Sequence, residues 1–189
     1  GEFPDIDNSH NWFDSTLVII KPDAKPGGIA QILDTKPSLK DFANNLIPTL
    51  NTGISKINVQ KKRIEDFFED LDNKKIKTLT EDLKKSPDAL SVITHSETGE
   101  EATLIYEDGK IFVKRLITNH LNDNGSEVEF SVGMESDGTK RLIDYIPALN
   151  DIINEDRVYL IDEIERSIHP ITIKEIITKI SLEKNISNY

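Results

Sequence analysis

The chain has 189 residues, a hydrophobic fraction of 37% and a formal net charge of −11, which together suit one substantial soluble domain or two small ones. Cysteine is absent, which excludes disulfides and thiolate metal sites and makes the reducing cytoplasm the expected compartment. No apolar run has membrane-spanning length, so no membrane partner is expected, and the acidic surplus argues against a surface that grips nucleic acid through its phosphates.

The first third of the chain predicts a strand, a loop, a helix and a second strand. Gly1-Glu2-Phe3 has no signal-peptide character and reads as a remnant of cloning. A β-branched run at 15–20 predicts a strand, and the Pro- and Gly-rich segment 21–28 predicts a loop. Apolar residues recur at helical spacing from Ser38, a candidate N-cap, to Leu50. A short strand is expected over 54–59.

The middle of the chain is dominated by charged helix and β-hairpin signals. The charged stretch 63–85 predicts one or two helices whose charges form a solvated face, with a partner-binding arm as the alternative. A short strand is expected at 91–96. Two strand-like runs within 101–121 flank Asp108-Gly109, a pair that favours positive φ and predicts a tight antiparallel hairpin. Another strand is expected over 127–132.

The stretch SVGMESDGTKRLIDYIPAL, residues 131–149, leads from a glycine turn into an amphipathic helix expected over 137–153. Pro147 lies inside that helix and is expected to kink or interrupt it. The turn is compatible with a degenerate P-loop, with an ordinary helix start capped by Ser136 or Asp137, or with another nucleotide-contacting loop. The P-loop interpretation is weak, because a P-loop ends Gly-Lys-Ser/Thr whereas the order here is Gly-Thr-Lys.

The run Val158–Ile161 predicts a buried central strand that ends in Asp162 and Glu163. The carboxyl end of a strand is the edge at which α/β sheets hold ligands. A nucleotide-hydrolysing site needs one carboxylate to support Mg²⁺ and another to polarise water. Two solvated acids at a strand end, or a metal-dependent nuclease that also uses Glu165, are the alternatives.

The string VYLIDEIERSIHP, residues 158–170, resembles the Walker B segment and D-loop of ABC-type ATPase heads. The resemblance is to the branch that contains the SMC and RecF proteins and the bacterial overcoming-lysogenisation-defect and phage-defence ATPases. It implies that Asp162 supports Mg²⁺, that Glu163 is the general base, and that Ser167 and His169 belong to a D-loop at a dimer contact. For His169, a simple capping or packing role at the helix start is the alternative.

One helix ahead of that strand, the sequence ESDGT at 135–139 resembles the signature motif of the same ATPases. The resemblance implies that Ser136 contacts the γ-phosphate of ATP bound to a second copy, that Gly138 permits close approach, and that Thr139 stands at the usual glutamine position. Asp137 departs from the common motif, which has glycine there. An acid at that place repels phosphate unless it faces a base, a metal or a helix N–H, so the role of Asp137 stays open.

The resemblance implies a fold: an α/β, partial P-loop NTPase head of ABC type, with a mixed sheet, an antiparallel hairpin and flanking helices. It covers 118–189, and 4–117 are expected to form an intervening α+β region without assigned chemistry. No Gly-x-x-x-x-Gly-Lys-Ser/Thr occurs, so we expect a piece of a larger ATPase that lacks Walker A and does not turn over ATP alone.

In the full-length protein the resemblance implies ATP and Mg²⁺ as cofactors and a head-to-head dimer with a second copy. It also implies a link to DNA- or RNA-directed or antiphage effector action, with nucleic acid or an effector nuclease as a further partner. The alternative is a non-enzymatic protein-interaction module, whose acids are surface charge and whose glycine turn is a capped helix start.

Overall fold

The structure is a computed structural model, and it describes residues 4–67, 73–85, 91–94 and 100–187. The chain divides into two compact units. The first, called here the terminal unit, combines residues 1–26 with 136–189, and the second, the central unit, comprises 27–135.

The helices are α1 (Pro4–Ser15), α2 (Ile29–Thr35), α3 (Pro37–Leu46), α4 (Ile64–Phe67), α5 (Asn73–Lys85), α6 (Asp137–Asn154) and α7 (Pro170–Ser187). The strands are β1 (Leu17–Ile20), β2 (Ile54–Arg63), β3 (Ser91–Thr94), β4 (Glu101–Glu107), β5 (Lys110–Leu121), β6 (Glu127–Ser131) and β7 (Val158–Ile161). Two short 3₁₀ helices lie at Ile47–Leu50 and Val132–Met134.

In the terminal unit, β1 and β7 form a two-stranded parallel sheet in which Leu17 pairs with Val158 and Ile20 with Ile161. The expectation that β7 is a buried central strand is wrong for the residues that the structure describes. Its side chains alternate between exposed and half-buried positions, and the exposed ones are Val158 (47% exposed) and Leu160 (57% exposed). The physical reason is that β7 pairs with β1 alone here, and its alternating side chains are shielded on only one face.

Helix α6 supplies most of the core of the terminal unit. Its buried apolar residues are Leu142, Ile143, Tyr145, Ile146, Ala148 and Leu149. Pro147 lies within the helix, yet α6 continues past it to Asn154, so the predicted interruption does not occur. Proline removes one main-chain hydrogen bond from a helix interior. The buried residues on both sides of Pro147 favour continuation of the helix, because ending it there would expose them.

The central unit is built on a five-stranded antiparallel sheet with the order β2-β5-β4-β3, and β6 also pairs with β5. The predicted hairpin is confirmed: β4 and β5 pair directly, and the turn residues Asp108 and Gly109 have φ values of 49° and 78°. Strand β2 is longer than expected and pairs with β5 from Ile54 to Arg63.

Helix α3 begins at Pro37 rather than after Ser38, and Lys36 is its N-cap residue. Proline suits the first helical position, because its missing N–H would have no partner there. The segment 38–50, predicted as one helix, ends in the 3₁₀ helix Ile47–Leu50. Asn51, with a φ of 54°, terminates that 3₁₀ helix. The charged stretch 63–85 contains two helices, α4 and α5, and parts of the predictions for 63–85 and 91–96 lie outside the described residues.

The architecture therefore confirms the predicted fold class, a mixed α/β fold with parallel and antiparallel pairing and flanking helices. Within the described part of the chain, none of the helices combines the length and apolar character that crossing a membrane would require.

Candidate functional site

The two acids after β7 lie at the carboxyl edge of the parallel sheet of the terminal unit. The main-chain N–H of Asp162 donates to the carbonyl of Ile20 over 3.0 Å, which continues the pairing of β1 and β7 by one step. Since the two strands are parallel, the residues that follow Ile20 and Ile161 emerge at the same edge. Asp162 and Glu163 are both exposed there, so their carboxylates are open to solvent and to a ligand.

The segment that follows the acids is a compact sequence of turns. The N–H of Arg166 donates to the carbonyl of Glu163 over 2.9 Å, and that of Ile168 to Glu165 over 3.3 Å. Ile168 is buried and anchors the end of the segment in the core. Glu163 and Ser167 adopt positive φ values of 50° and 64°. For a non-glycine residue this conformation costs roughly 1–2 kcal/mol, so the surrounding contacts must hold both residues in place.

Glu163 also lies near a cation in its own turn. One Nη of Arg166 is 4.0 Å from a carboxylate oxygen of Glu163, and both side chains are more than half exposed. An exposed ion pair at that separation contributes little to stability. The carboxylate of Glu163 is therefore not committed to a structural role by this contact.

Ser136 is the N-cap of α6. Its Oγ accepts a hydrogen bond from the main-chain N–H of Thr139 over 3.2 Å and lies 3.0 Å from the Thr139 hydroxyl. This confirms the capping interpretation of the serine, which leaves a phosphate contact open because Ser136 itself is exposed. Thr139 is buried, and its hydroxyl contacts Ser136 rather than facing solvent.

Asp137, the acid that departs from the common signature motif, faces a base. Its carboxylate forms an ion pair with Lys140 Nζ over 2.9 Å, one helical turn further on. The hydrogen bond from Lys140, reinforced by its charge, holds the pKa of Asp137 below its usual value of 3.8. The negative charge at the start of α6 is thus compensated within the same turn.

Gly138 brings the helix start and the turn after the acids into direct contact. A Cβ atom on Gly138 would lie 2.4 Å from the main-chain oxygen of Ser167. Carbon and oxygen atoms that are not bonded do not approach so closely, and the obstacle is backbone rather than a flexible side chain. The signature-like turn at 135–139 and the turn after β7 are therefore in direct contact.

His169 begins the next helix. Its Nδ1 accepts a hydrogen bond from the N–H of Ile171 over 3.2 Å, and its carbonyl accepts from Ile173 over 3.2 Å. The imidazole therefore caps the start of α7 and is exposed. A D-loop role for His169 and Ser167 stays a prediction, since it requires a second copy.

Arg141 is a residue of this region that the sequence did not single out. It is 8% exposed, and its guanidinium donates to the carbonyls of Ala24 (2.6 Å) and Lys21 (3.1 Å) and to the Tyr145 hydroxyl (3.0 Å). The only available signal was an arginine four residues before a tyrosine within the apolar stripe of α6. Its carbonyl partners, more than a hundred residues earlier in the chain, leave no trace in the local pattern.

The donors at this edge fit a metal ion that arrives with a nucleotide. Within 4–67, 73–85, 91–94 and 100–187, no group of three or more His, Asp or Glu side chains is arranged to hold a metal. Mg²⁺ usually takes only one or two protein carboxylates and fills its other positions with phosphate oxygens and water. An exposed aspartate at a sheet's carboxyl edge, such as Asp162, is compatible with that kind of binding.

The central unit has a separate cavity of about 590 Å³, lined by apolar residues of β3 and β4 with Glu100, Arg115 and Ser131 at its polar side. Arg115 lies 3.8 Å from the Glu100 carboxylate, which also accepts a hydrogen bond from Ser131. The Glu100 carboxylate therefore lies between a cation and a hydroxyl donor. The described residues that line this cavity include none of the predicted site residues.

Comparison with known protein families gives a match over nearly the whole chain. Residues 5–187 match the model of a family described as "AAA domain, putative AbiEii toxin, Type IV TA system". Neither the curated proteins nor the solved structures yield a significant match.

Proposed function

Because the chain belongs to the family of AAA domains described as putative AbiEii toxins of type IV toxin–antitoxin systems, we propose that it forms part of an ABC-type ATPase head. AAA domains bind nucleotides and use ATP with Mg²⁺. In this proposal, Ser136 to Thr139 contact ATP held by a second copy, whereas Asp162 and Glu163 act on the ATP of their own subunit. The finer assignment rests on the motif resemblance and on the geometry of the terminal unit.

The observation that carries the proposal is the contact between Gly138 and Ser167. It means that Ser136 and the exposed acids Asp162 and Glu163 belong to one packed region of the terminal unit. A nucleotide site divided between two copies needs both parts near the surface of each copy.

The start of α6 has the chemistry of a phosphate contact. The first N–H groups of a helix have no partner within the helix, and its dipole favours an anion there. The Ser136 hydroxyl accepts a hydrogen bond from the N–H of Thr139. Among the described residues, the N–H groups of Asp137 and Gly138 donate no hydrogen bond. Lys140 offsets the charge of Asp137, so the acid in the motif does not prevent an anion from binding.

Glu163 fits the role of general base. It is exposed beside Asp162, at the carboxyl edge of the β1–β7 pair, and its backbone has a positive φ of 50°. A carboxylate in that place takes a proton from the water that attacks the γ-phosphate. Asp162 would hold the Mg²⁺, which neutralises phosphate charge when it is bound. ATP hydrolysis would then drive a nucleic-acid-directed or antiphage effector, the action that the motif resemblance implies.

The test is Glu163→Gln in the complete protein that contains this chain. Removing a general base lowers turnover by roughly 10²–10⁴-fold, and ATP-dependent dimers, measured by light scattering after size exclusion, should persist because the amide keeps the shape of the site. Glu165→Gln is the matched control, since it changes an exposed acid of the same turn. Full turnover by Glu163→Gln would contradict the proposal. A non-enzymatic interaction module would be indifferent to both changes.

A further inference from the structure

The cavity of about 590 Å³ in the central unit has no role in the proposed function. We propose that it binds a small neutral amphiphile, a molecule with an apolar chain and one carboxamide head, and that Arg115 and Glu100 hold the head. Such a site lies in the central unit alone and does not depend on the ATPase assignment.

The apolar part of the cavity has a fixed shape and surface left to cover. Its apolar lining combines residues of the buried core cluster with partly buried ones, namely Ile64, Ala102 and Leu104 in the first group and Phe67, Leu79 and Ile93 in the second. The partly buried side chains keep apolar surface that an apolar chain removes from water. The volume falls within the roughly 300–1,000 Å³ typical of small-molecule sites. Met134 lines the cavity and is exposed, so the cavity opens to solvent beside it.

Arg115 is held in a way that leaves its donor fork available. Its Nε donates to the side-chain oxygen of Gln60 over 3.1 Å, and its Cζ lies 5.1 Å from the centre of the Phe67 ring. One Nη lies 3.8 Å from the Glu100 carboxylate, and neither Nη donates a hydrogen bond among the described residues. An oxygen of a ligand therefore meets a guanidinium whose position is already set.

Glu100 supplies an acceptor beside that donor. Its carboxylate accepts a hydrogen bond from the Ser131 hydroxyl over 2.5 Å, and the same hydroxyl oxygen accepts one from the N–H of Gly133 over 3.2 Å. The side chain of Glu100 is only 14% exposed, so its position is well defined. A carboxylate has about four acceptor sites, and Glu100 can therefore accept a further hydrogen bond from a ligand.

The charges of the lining select a neutral head group. Among the described lining residues, Lys62 and Arg115 are cationic and Asp66 and Glu100 are anionic, so their formal charges cancel. A ligand carboxylate would be repelled by Glu100, and a ligand ammonium by Arg115, at a place with little solvent to screen the repulsion. A carboxamide offers a carbonyl oxygen to Arg115 and an N–H to Glu100 without net charge. It therefore matches a donor and an acceptor that lie 3.8 Å apart.

The experiment uses three probes with the same apolar chain and different heads: octanamide, octanoate and octylammonium. Each is titrated at about pH 7 into the isotope-labelled 189-residue chain and followed by NMR. Octanamide should bind saturably, with a Kd at or below about 1 mM, and should shift the main-chain N–H signals of Ile93 and Leu104. Octanoate and octylammonium should bind about tenfold more weakly or worse, because each brings a like charge to the polar side.

Changing one charge at a time should exchange the preferred probe. Glu100→Gln leaves Arg115 uncompensated, so octanoate should bind about tenfold more tightly or better than to the unchanged chain. Arg115→Gln leaves Glu100 uncompensated, so octylammonium should gain by a similar factor. A merely structural role of either residue would instead weaken all three probes alike. Glu129→Gln is the matched control, an exposed acid of β6 outside the cavity lining, and should keep each Kd within about twofold.

Circular dichroism first establishes that each variant folds. If one charge variant does not, the other tests the same exchange, and the three probes on the unchanged chain require no variant. Several results overturn the proposal: no saturable binding of octanamide, equal affinity of the unchanged chain for all three probes, or an unchanged order of affinities in a folded charge variant. Full turnover by Glu163→Gln would contradict the proposed function and leave this site untouched, because the probes report on the central unit alone.

Discussion

Gly138 in the first turn of α6 faces the main-chain oxygen of Ser167 so closely that a methyl group on the glycine would lie 2.4 Å from it. Ser167 has φ 64°, and the next residue, Ile168, is buried. The oxygen therefore belongs to a turn whose end is anchored in the core by Ile168. The absence of a side chain at Gly138 is required within one chain, independently of any nucleotide.

The first prediction follows from this contact. Gly138→Ala should lower the free energy of unfolding by about 1–3 kcal/mol, the usual cost of forcing extra atoms into a packed site. Urea unfolding of the chain followed by circular dichroism measures the change. Because the same contact joins the two parts of the proposed site, turnover of the complete protein should fall as well.

Gly27→Ala is the control for this measurement. A Cβ atom on Gly27 would meet nothing within 4 Å, and its φ lies outside the left-handed region. Alanine should therefore leave stability unchanged or raise it slightly, by up to about 1 kcal/mol, since it restricts the unfolded chain. Equal stability of the two alanine variants would show that the backbone at Ser167 moves aside freely.

The second prediction separates two roles of Ser136. Ser136→Ala removes the cap of α6 and should cost about 0.5–2 kcal/mol, whereas Ser136→Gly should cost only a few tenths, because glycine is a tolerated N-cap residue. If the hydroxyl also contacts ATP across the dimer, both variants should lose ATP-dependent dimers in the complete protein. Thermal unfolding and light scattering measure the two effects. Intact dimers with Ser136→Gly would restrict the serine to capping.

The third prediction concerns Tyr159 in β7, whose hydroxyl donates to a carboxylate oxygen of Asp151 over 3.0 Å. Burial, and secondly this hydrogen bond, raise the pKa of Tyr159 above its usual value of 10.0. A group whose pKa is higher in the folded chain stabilises the fold fully below the unfolded value and loses that contribution as the pH rises through the folded value.

Tyr159→Phe should therefore lower the free energy of unfolding at about pH 7 by roughly 0.5–1.5 kcal/mol, the usual worth of one hydrogen bond. The difference in the free energy of unfolding between the two proteins should shrink as the pH rises above about 10, where the tyrosine of the unfolded wild-type chain begins to ionise. Urea unfolding at a series of pH values tests this. A difference that stays constant or widens at high pH would contradict the assignment of the shift to Tyr159.

Several features of this protein follow from neighbouring residues and were predictable from the sequence. Asp108-Gly109 forms the hairpin turn because glycine and aspartate tolerate positive φ. Ser136 caps α6 because its hydroxyl reaches the N–H three residues further on. Asp162 and Glu163 stand at a strand end because the apolar run stops there.

Other expectations failed because a local pattern does not report what packs against it. The apolar run of β7 reads as a buried strand, yet two of its side chains are exposed, since burial depends on the layers around a strand. Pro147 predicts a kink or an interruption of α6, and the interruption does not occur, because buried residues on both sides favour the helix.

Sequence alone thus determined the main turns and the two candidate segments, because hydrogen bonds over three or four residues and the alternation of apolar side chains are properties of short stretches. The fold class followed from the motif resemblance. Only the tertiary structure decided that Gly138 must lie against Ser167 and that Arg141 donates to the carbonyl of Lys21. Both contacts involve backbone oxygens, which every residue carries, and a group common to all residues leaves no mark in a sequence.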